Sequence, residues 1–503
     1  MNKSPLPAHI QAMFCPETYP HEVDDIEMIQ THISWVFLTG VYVYKLKKPL
    51  NLDFLDFSTL AKRKFYCAQE LILNRRLSAD IYLDVVALTK KGERIELDGS
   101  GKVLDYAVKM HQFDQSGLLD QRLKDNQFDP AWMDVLARDT AAFHAGQQSR
   151  AEFGNPQMLA DHIQTNLDIA AQHIGDALDA KIMLELRRFA TEVLDNQKER
   201  LMQRQSDGFI RPCHGDLHLK NITLINHAPW IFDCIEFSDD FRIIDTMNDV
   251  AFLVMDCDAH GHPDLGFRFL SRYLEHSGDY AGLSLLNLYL FYRATVRGKV
   301  FILLARELAD ETERQQQYEE ARKYFDLAAR YSRSSPAILF AVGGLSGSGK
   351  SHLALQGCGV ERAIIIRSDA TRKRIASDYP DLDLYSFEMH VHTYQRMFAD
   401  ARTALEAGFS VILDATFLDS ESRQQVNELA QTCGVQMHFF WLDVERSVLE
   451  QRVKQRQSAA NDISDADLRV LTLQLSQYRR PDEPWLEFLS ANNVWPCLNK
   501  GHE

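Results

Sequence analysis

The ten residues CHGDLHLKNI, Cys213 to Ile222, set two histidines four apart around an aspartate and close on an asparagine. His214 and His218 have the i, i+4 spacing that places two imidazoles on one helical face in zinc proteases. Gly215 beside the first weakens the helix that geometry requires, no glutamate follows His214, and no third ligand lies nearby. A polar turn between apolar strands accounts for the polarity of the stretch. It does not account for Asp216 and Asn221 standing five apart, with a second acidic centre, IFDCIEF, placing Asp233 twelve residues beyond Asn221. Phosphoryl transfer to a hydroxyl asks for this set of groups: one carboxylate to orient and deprotonate the hydroxyl, plus an amide oxygen and a second carboxylate on Mg²⁺.

Several spaced elements agree in order with a known family. HGDLHLKN resembles the H-G-D-x-H-x-x-N catalytic loop of aminoglycoside phosphotransferases and choline-kinase-like enzymes, relatives of protein kinases, and RIIDTMNDVAFLVMD resembles the segment that comes after it. IFDCIEF stands where that family often has I-D-W or I-D-F-E. The resemblance implies Asp216 as catalytic base, Asn221 and Asp233 as Mg²⁺ ligands, and His214 as a hydrogen bonder that holds the loop. It also implies a buttressing aspartate, Asp245 or Asp249. Kinase-like folds further need a small-lobe lysine on the α- and β-phosphates, paired with a glutamate on the next helix. VYVYKLKKPL offers Lys45 and Lys47 on one face of a strand, and Glu70 lies in the next helix; the expected pair is Lys45 with Glu70. The turn before them, LTG, lacks a G-x-G-x-x-G loop, as aminoglycoside-type kinases often do.

A second phosphate-handling motif stands at GGLSGSGKS. Gly344, Leu345, Ser346, Gly347, Ser348, Gly349, Lys350 and Ser351 form a complete P-loop after an apolar strand and before a helix. Backbone N–H groups and the helix N-terminus there would cradle phosphate, Lys350 would reach the β- and γ-oxygens, and Ser351 would bind Mg²⁺. Ligands of open α/β sheets bind outside the carboxyl ends of the strands. IIIRSDATRKRI places Asp369 at one such end with Arg372 three residues on, and VILDATF places Asp414 at another. Arg452 and Arg456, four apart in LEQRVKQRQ, suit a lid over the transferring phosphate, the alternative being a solvated basic face. These elements look like the P-loop kinases that include phage polynucleotide kinase, zeta toxins and small antibiotic or sugar kinases. That resemblance implies Asp369 as base, Arg372 on substrate, Asp414 near Mg²⁺ or the acceptor, and both arginines in the lid. His390 and His392 diverge on a helix and read as incidental.

The surrounding chain fits two such domains. Its 503 residues exceed one ordinary core, and a polar SRSSP ahead of an apolar strand marks the cut. We expect a kinase-like domain over 1–332, a linker at 333–336 and a P-loop kinase domain over 337–503. The fold class expected is an α+β, protein-kinase-like bilobal domain followed by an α/β three-layer P-loop domain with a parallel sheet. Near-continuous apolar strands alternating with helices after 337 support the second, and β-rich runs around a Thr-Gly turn ahead of a helical stretch support the first.

The net charge of −16 argues against a nucleic-acid-coated surface, and the part from Ala337 onward holds 17 basic against 22 acidic side chains. Eight scattered cysteines form no C-x-x-C pair, so reduced thiols are expected. No apolar leader region opens the chain and no apolar run reaches membrane-spanning length, so we expect a cytoplasmic protein without a membrane partner. The whole chain resembles a bacterial family described as a bifunctional aminoglycoside phosphotransferase and ATP-binding protein. The resemblance implies ATP, with GTP the alternative, Mg²⁺, and small-molecule hydroxyl acceptors at both sites. Two other readings stay open: a kinase-like domain that only regulates the P-loop enzyme, and a polynucleotide 5′-hydroxyl kinase at the C-terminal site.

Overall fold

The computed structural model describes residues 6–23, 25–52, 55–333, 335–459, 468–490 and 494–496. They form two compact units whose segments alternate along the chain. Residues 1–132, 143–253 and 292–328 make the first, and residues 133–142, 254–291 and 329–503 make the second. Two short segments from the expected first domain therefore pack with the residues from 329 onward. Ser334 of the expected linker lies outside the described residues.

The first unit begins with an antiparallel six-stranded sheet. Its order is Glu27–Gln30, Ser34–Leu38, Tyr42–Lys47, Lys102–His111, Tyr82–Lys91, Arg94–Leu97. Alternation within Tyr42–Lys47 sorts its side chains between two environments, since successive residues of a strand point to opposite faces. Tyr44 and Leu46 join a core with Trp35, Phe37, Leu88 and Ala107 on one face. Val43 turns to the other, where it packs with Cys67 of the helix Leu60–Ser78. Lys45 and Lys47 share that second face. Thr59 caps the helix by accepting from the Lys62 N–H.

Beyond the sheet the first unit is mainly helical, with two small antiparallel pairs that carry the opening motif. Ile210–Pro212 pairs with Ile243–Asp245, and Ile222–Ile225 with Ala228–Ile231. The stretch 213–221 is thus tethered at both ends by ladder hydrogen bonds. No described helix is long and apolar enough to cross a membrane; the apolar LSLLNLYLFY lies in the helix Leu283–Glu307, with Leu285, Leu286 and Phe291 fully buried.

The second unit is built on a parallel sheet in the order Ile364–Arg367, Val411–Asp414, Ile338–Gly344, Gln436–Leu442, Leu486–Leu489. Leu339–Val342, Ile364–Ile366 and Val411–Leu413 are buried at every position, as strands covered on both faces require. The helices Lys350–Glu361 and Phe387–Glu406 pack on these strands. The fifth strand, Leu486–Leu489, is an addition to the sequence reading: four residues with two exposed carry no readable period. All seven described cysteines are free thiols.

Candidate active sites

In the first unit the loop 213–221 is held by backbone and by buried side chains. Gly215 has φ +87°, and a Cβ there would lie 2.9 Å from the Phe241 carbonyl oxygen, so only glycine fits between the small strands. The Asp249 carboxylate, fully buried on the helix Thr246–Ala259, accepts from the N–H groups of His214 (3.0 Å) and Gly215 (2.8 Å) and contacts His144 Nε2 at 3.1 Å. Arg293 donates to the Gly215 carbonyl at 3.0 Å. Asp245 instead pairs with Arg204 at 2.5 and 2.7 Å, so of the two aspartates left open by the sequence, Asp249 contacts the loop. Burial pushes the Asp249 carboxyl up, but the His144 hydrogen bond, with the Arg293 charge nearby, outweighs it and brings the value to about 2.

His144, Cys213 and Asp249 offer ligand atoms within 4.8 Å of one another. Both Asp249 oxygens are already engaged, burial drives the Cys213 thiol well above its ordinary value, and that thiol turns to the Ile244 carbonyl at 3.6 Å, so His144 and Asp249 form a hydrogen-bonded buttress beside it.

The His214 ring Nδ1 accepts from the Asp216 N–H at 3.2 Å, which leaves Nε2 to donate to the Phe232 carbonyl at 2.9 Å. Burial lowers the His214 pKa, in keeping with this neutral tautomer. One imidazole thereby joins the Asp216 backbone to the strand end that carries Asp233. Asn221 spends its amide N–H₂ on the Asp216 carbonyl and on Asp216 Oδ2, each at 2.9 Å, which orients its own oxygen away from Asp216. His218 Nε2 sits 3.3 Å from Asp216 Oδ2. Burial raises the Asp216 pKa, but the His218 charge and hydrogen bond, with Arg297, reverse this and hold the carboxyl well below the usual range.

Asp233 takes φ 63°, a left-handed conformation that costs a non-glycine residue roughly 1 kcal/mol or more and that recurs at functional sites. Its N–H donates to the Tyr82 hydroxyl at 3.1 Å, and Phe232 N–H donates to the Asn221 carbonyl at 2.9 Å. Lys45 Nζ bridges Asp233 Oδ1 at 2.5 Å and Glu70 Oε1 at 2.8 Å. Sequence reasoning missed the other half of this cluster. Lys47, fully buried, reaches Glu70 Oε2 at 2.7 Å and also pairs with Glu236. Burial lowers both lysine pKa values, but the facing carboxylates overcome it and raise them. The available signal was Glu236 itself, three residues beyond Asp233 in an otherwise apolar run. The oxygens of Asn221 and Asp233 are the hard donors that Mg²⁺ takes, and the half-exposed Asp233 carboxylate is open to it.

In the second unit the P-loop runs from the end of Ile338–Gly344 into the helix Lys350–Glu361. Gly344 has φ +139°, and a Cβ there would lie 2.9 Å from the Leu442 carbonyl and 3.0 Å from Ser348 Oγ. Ser348 Oγ is buried with no hydrogen-bond partner among the described residues, so it fits a phosphate oxygen as its partner. Lys350 Nζ reaches back to the Leu345 carbonyl at 3.0 Å, and Arg452 Nη1 reaches the Ser348 carbonyl at 3.1 Å. The Arg456 side chain lies outside the described residues. Gln474, absent from the sequence reading, accepts from the Ser346 N–H at 3.0 Å.

Asp414 ends its strand buried. Burial raises its carboxyl pKa, opposed by Lys350, a hydrogen bond from Ser351 and Arg367. This places the oxygens of Ser351 and Asp414 together beside Lys350, again a set suited to Mg²⁺. Asp369 occupies the first turn of the helix Ser368–Ile375, where Arg372 Nη1 holds its Oδ1 at 3.0 Å while lying 5.5 Å from the centre of the Tyr385 ring. His392 stacks on Tyr379 with ring centres 4.1 Å apart, and His390 tilts on Tyr394 at 4.5 Å.

The uncharacterized protein Rv2004c of Mycobacterium tuberculosis is 30% identical to this chain over 456 residues, covering 88% of this chain and 89% of its own. The chain belongs to the Rv2004c family. An uncharacterized family member from Mycobacterium bovis, Mb2027c, matches to the same extent. A family model described as an AAA domain matches residues 339–481, which take in the P-loop, Asp369, Asp414 and Arg452. Among solved structures, a choline kinase from Cryptosporidium parvum Iowa II covers 65% of this chain and 94% of its own at 13% identity, with a TM-score of 0.42.

Proposed function

We propose that the chain is an ATP-dependent phosphotransferase with one site in each unit, each moving the γ-phosphate to a hydroxyl of a small molecule. The observation that carries this reading is the arrangement around Lys45. A strand lysine, a helix glutamate, an Asp-Asn loop and a second aspartate converge although they lie between residues 45 and 233 of the chain.

In the first site Asp216, held ionised by its surroundings, accepts the proton of the acceptor hydroxyl. The hydroxyl oxygen forms its bond to the γ-phosphorus as the bond from that phosphorus to the ADP oxygen breaks. Lys45 exchanges part of its ion pairing for the phosphates while Glu70 keeps it in place. Asn221 and Asp233 here, and Ser351 and Asp414 in the second unit, are the residues that would hold Mg²⁺, which when bound neutralises charge on the phosphates. In the second site the P-loop amides and Lys350 take the phosphates, Asp369 takes the acceptor proton, and Arg452 lies over the loop. The segment 376–388 beside Asp369 carries Asp378, Asp381, Asp383 and Glu388 and no lysine or arginine, which supports a small acceptor over a polyanionic nucleic-acid end.

The test uses ATP labelled in the γ-phosphate and a pool of metabolites, nucleosides and 5′-hydroxyl oligonucleotides. Asp216→Asn and Asp369→Asn should each abolish a different labelled product. If Asp216→Asn leaves every transfer intact, the two-enzyme reading fails and a regulatory first unit takes its place.

A further inference from the structure

We propose that Glu275 is a positioning residue for the P-loop site, acting from the helix Pro263–Ser277 through Arg367 on Asp369. The proposal rests on the phosphotransferase reading of that site.

The strand Ile364–Arg367 is the outer strand of the parallel sheet, and an outer strand presents unpaired N–H groups. Here the Ile365 N–H donates to Ser271 Oγ at 3.0 Å. Two residues on, Arg367 Nε donates to Glu275 Oε1 at 2.6 Å, and its Nη2 pairs with Oε2, a two-point grip with a fixed plane. The grip is itself braced. Arg272 Nη1 donates to Glu275 Oε1 at 2.8 Å, and Asp134 holds Arg272 at 3.3 Å and Arg268 at 2.6 and 2.8 Å. Ser271, Arg272, Glu275 and Arg367 are all buried.

Arg367 has an extended backbone and is the cap residue from which the helix Ser368–Ile375 starts. Asp369 is therefore two residues beyond the anchored guanidinium, in the first helical turn, and cannot shift along the strand direction without breaking the grip. The far end of the same helix is gripped too: Arg374 pairs with Asp400 and lies 5.4 Å from the centre of the Tyr280 ring. Residues 271–280 thus grip the start of the short helix that carries Asp369 and Arg372 and, through the Tyr280 ring, touch its far end beside Asp400. They stand well ahead, in sequence, of the P-loop that they serve. A shift of about 1 Å at a reacting group can cost on the order of a hundredfold in rate.

The experiment uses the full chain carrying Asp216→Asn, so that turnover reports the P-loop site, with ATP as substrate and water standing in for the acceptor hydroxyl. Glu275→Gln should lower kcat on the order of tenfold or more while KM for ATP stays within about twofold. The same substitution added to Asp369→Asn should change the residual ATP hydrolysis left by that variant by less than about twofold, because its effect runs through Asp369. Glu275→Asp, which keeps the charge, should restore part of the rate. Ser271→Ala, which removes one hydroxyl, is measured alongside against the chance that Glu275→Gln does not fold; it should lower kcat on the order of threefold with KM unchanged. An unchanged kcat in both variants overturns the proposal, as does an equal fall with and without Asp369, or a rise in KM that accounts for the loss. If Lys350→Ala leaves the turnover untouched, the phosphotransferase reading of the site is wrong and the proposal falls with it.

Discussion

Asp249→Asn is the sharpest test of how the loop 213–221 is built. The carboxylate receives the His214 and Gly215 N–H groups and His144 from a fully buried position. An amide of the same shape keeps one accepting oxygen and turns an N–H₂ toward one of the backbone donors. Each hydrogen bond to a charged group contributes about 1.5–3 kcal/mol, and leaving a buried donor unsatisfied costs about 1–3 kcal/mol more. The first unit should therefore lose roughly 3–5 kcal/mol, in the range seen when a buried pair is broken from one side. Hydrogen exchange of the peptide spanning 210–222, read alongside urea unfolding, separates the loop from the rest of the chain. The Asp249→Asn protein should exchange His214 and Gly215 amides on the order of a hundredfold faster or more.

The sign of the pH dependence gives a second reading of the same contact. The Asp249 carboxyl lies at about 2 when folded, below its ordinary 3.8. A depressed carboxylate contributes stability that is present above the unfolded value and is lost as pH falls through the folded one. Wild type should lose roughly 2–3 kcal/mol from this group between about pH 4 and pH 2, and Asp249→Asn should lack that component. Equal protection of 214 and 215 in variant and wild type would refute the buttress.

The two strand lysines should separate function from stability. Lys45→Met should lower kcat/KM for ATP at the first site on the order of a hundredfold and cost only about 1–3 kcal/mol in unfolding, since Asp233 keeps solvent and Glu70 keeps Lys47 on Oε2 while its buried Oε1 loses its lysine; steady-state kinetics in an Asp369→Asn background and urea unfolding check it. Lys47→Met leaves Glu236 buried without its lysine, and should instead cost about 3–5 kcal/mol in urea unfolding. Gly344→Ala should weaken fluorescent-ATP binding at the P-loop at least about tenfold, because the added carbon meets the Leu442 carbonyl and the backbone conformation is strained. Gly408→Ala is the control, with a positive φ but open space around it, and should leave binding unchanged.

The order of elements was legible wherever local chemistry decides it. A P-loop needs glycines at fixed offsets, and an Asp-Asn loop needs its two residues five apart, so each appears in the string as spacing. Apolar runs without alternation announced four of the five parallel strands. What the string does not show is which distant group satisfies a buried one. His144 lies 70 residues before His214, and nothing in FHAG marks it as a partner of Asp249. The choice between Asp245 and Asp249 was likewise open until Arg204 was seen to take the former. Lys47 stood beside Lys45 as a second candidate with no role of its own, but the Leu60–Ser78 helix covers its face and makes it one of the most buried charges among the described residues.

The position of the cut answers to the same distinction. SRSSP marks a change in local pattern, and a proline ahead of an apolar run is a sound sign of a new strand. Packing obeys a different requirement, that an outer strand and a buried guanidinium find partners. The sequence after 337 contains five strands and the P-loop, yet the Ile365 N–H is met by Ser271, Arg367 by Glu275, and Arg362 by Asp258 at 2.7 Å. A chain beginning at 337 would have to leave each of these groups to water or bury it unpaired. The cost of a buried unpaired guanidinium is several kcal/mol, comparable to the whole stability of a domain of that size. The segments 133–142 and 254–291 are thus part of what makes the parallel-sheet unit a folded body, and the P-loop unit is defined by those partners as much as by its own motifs.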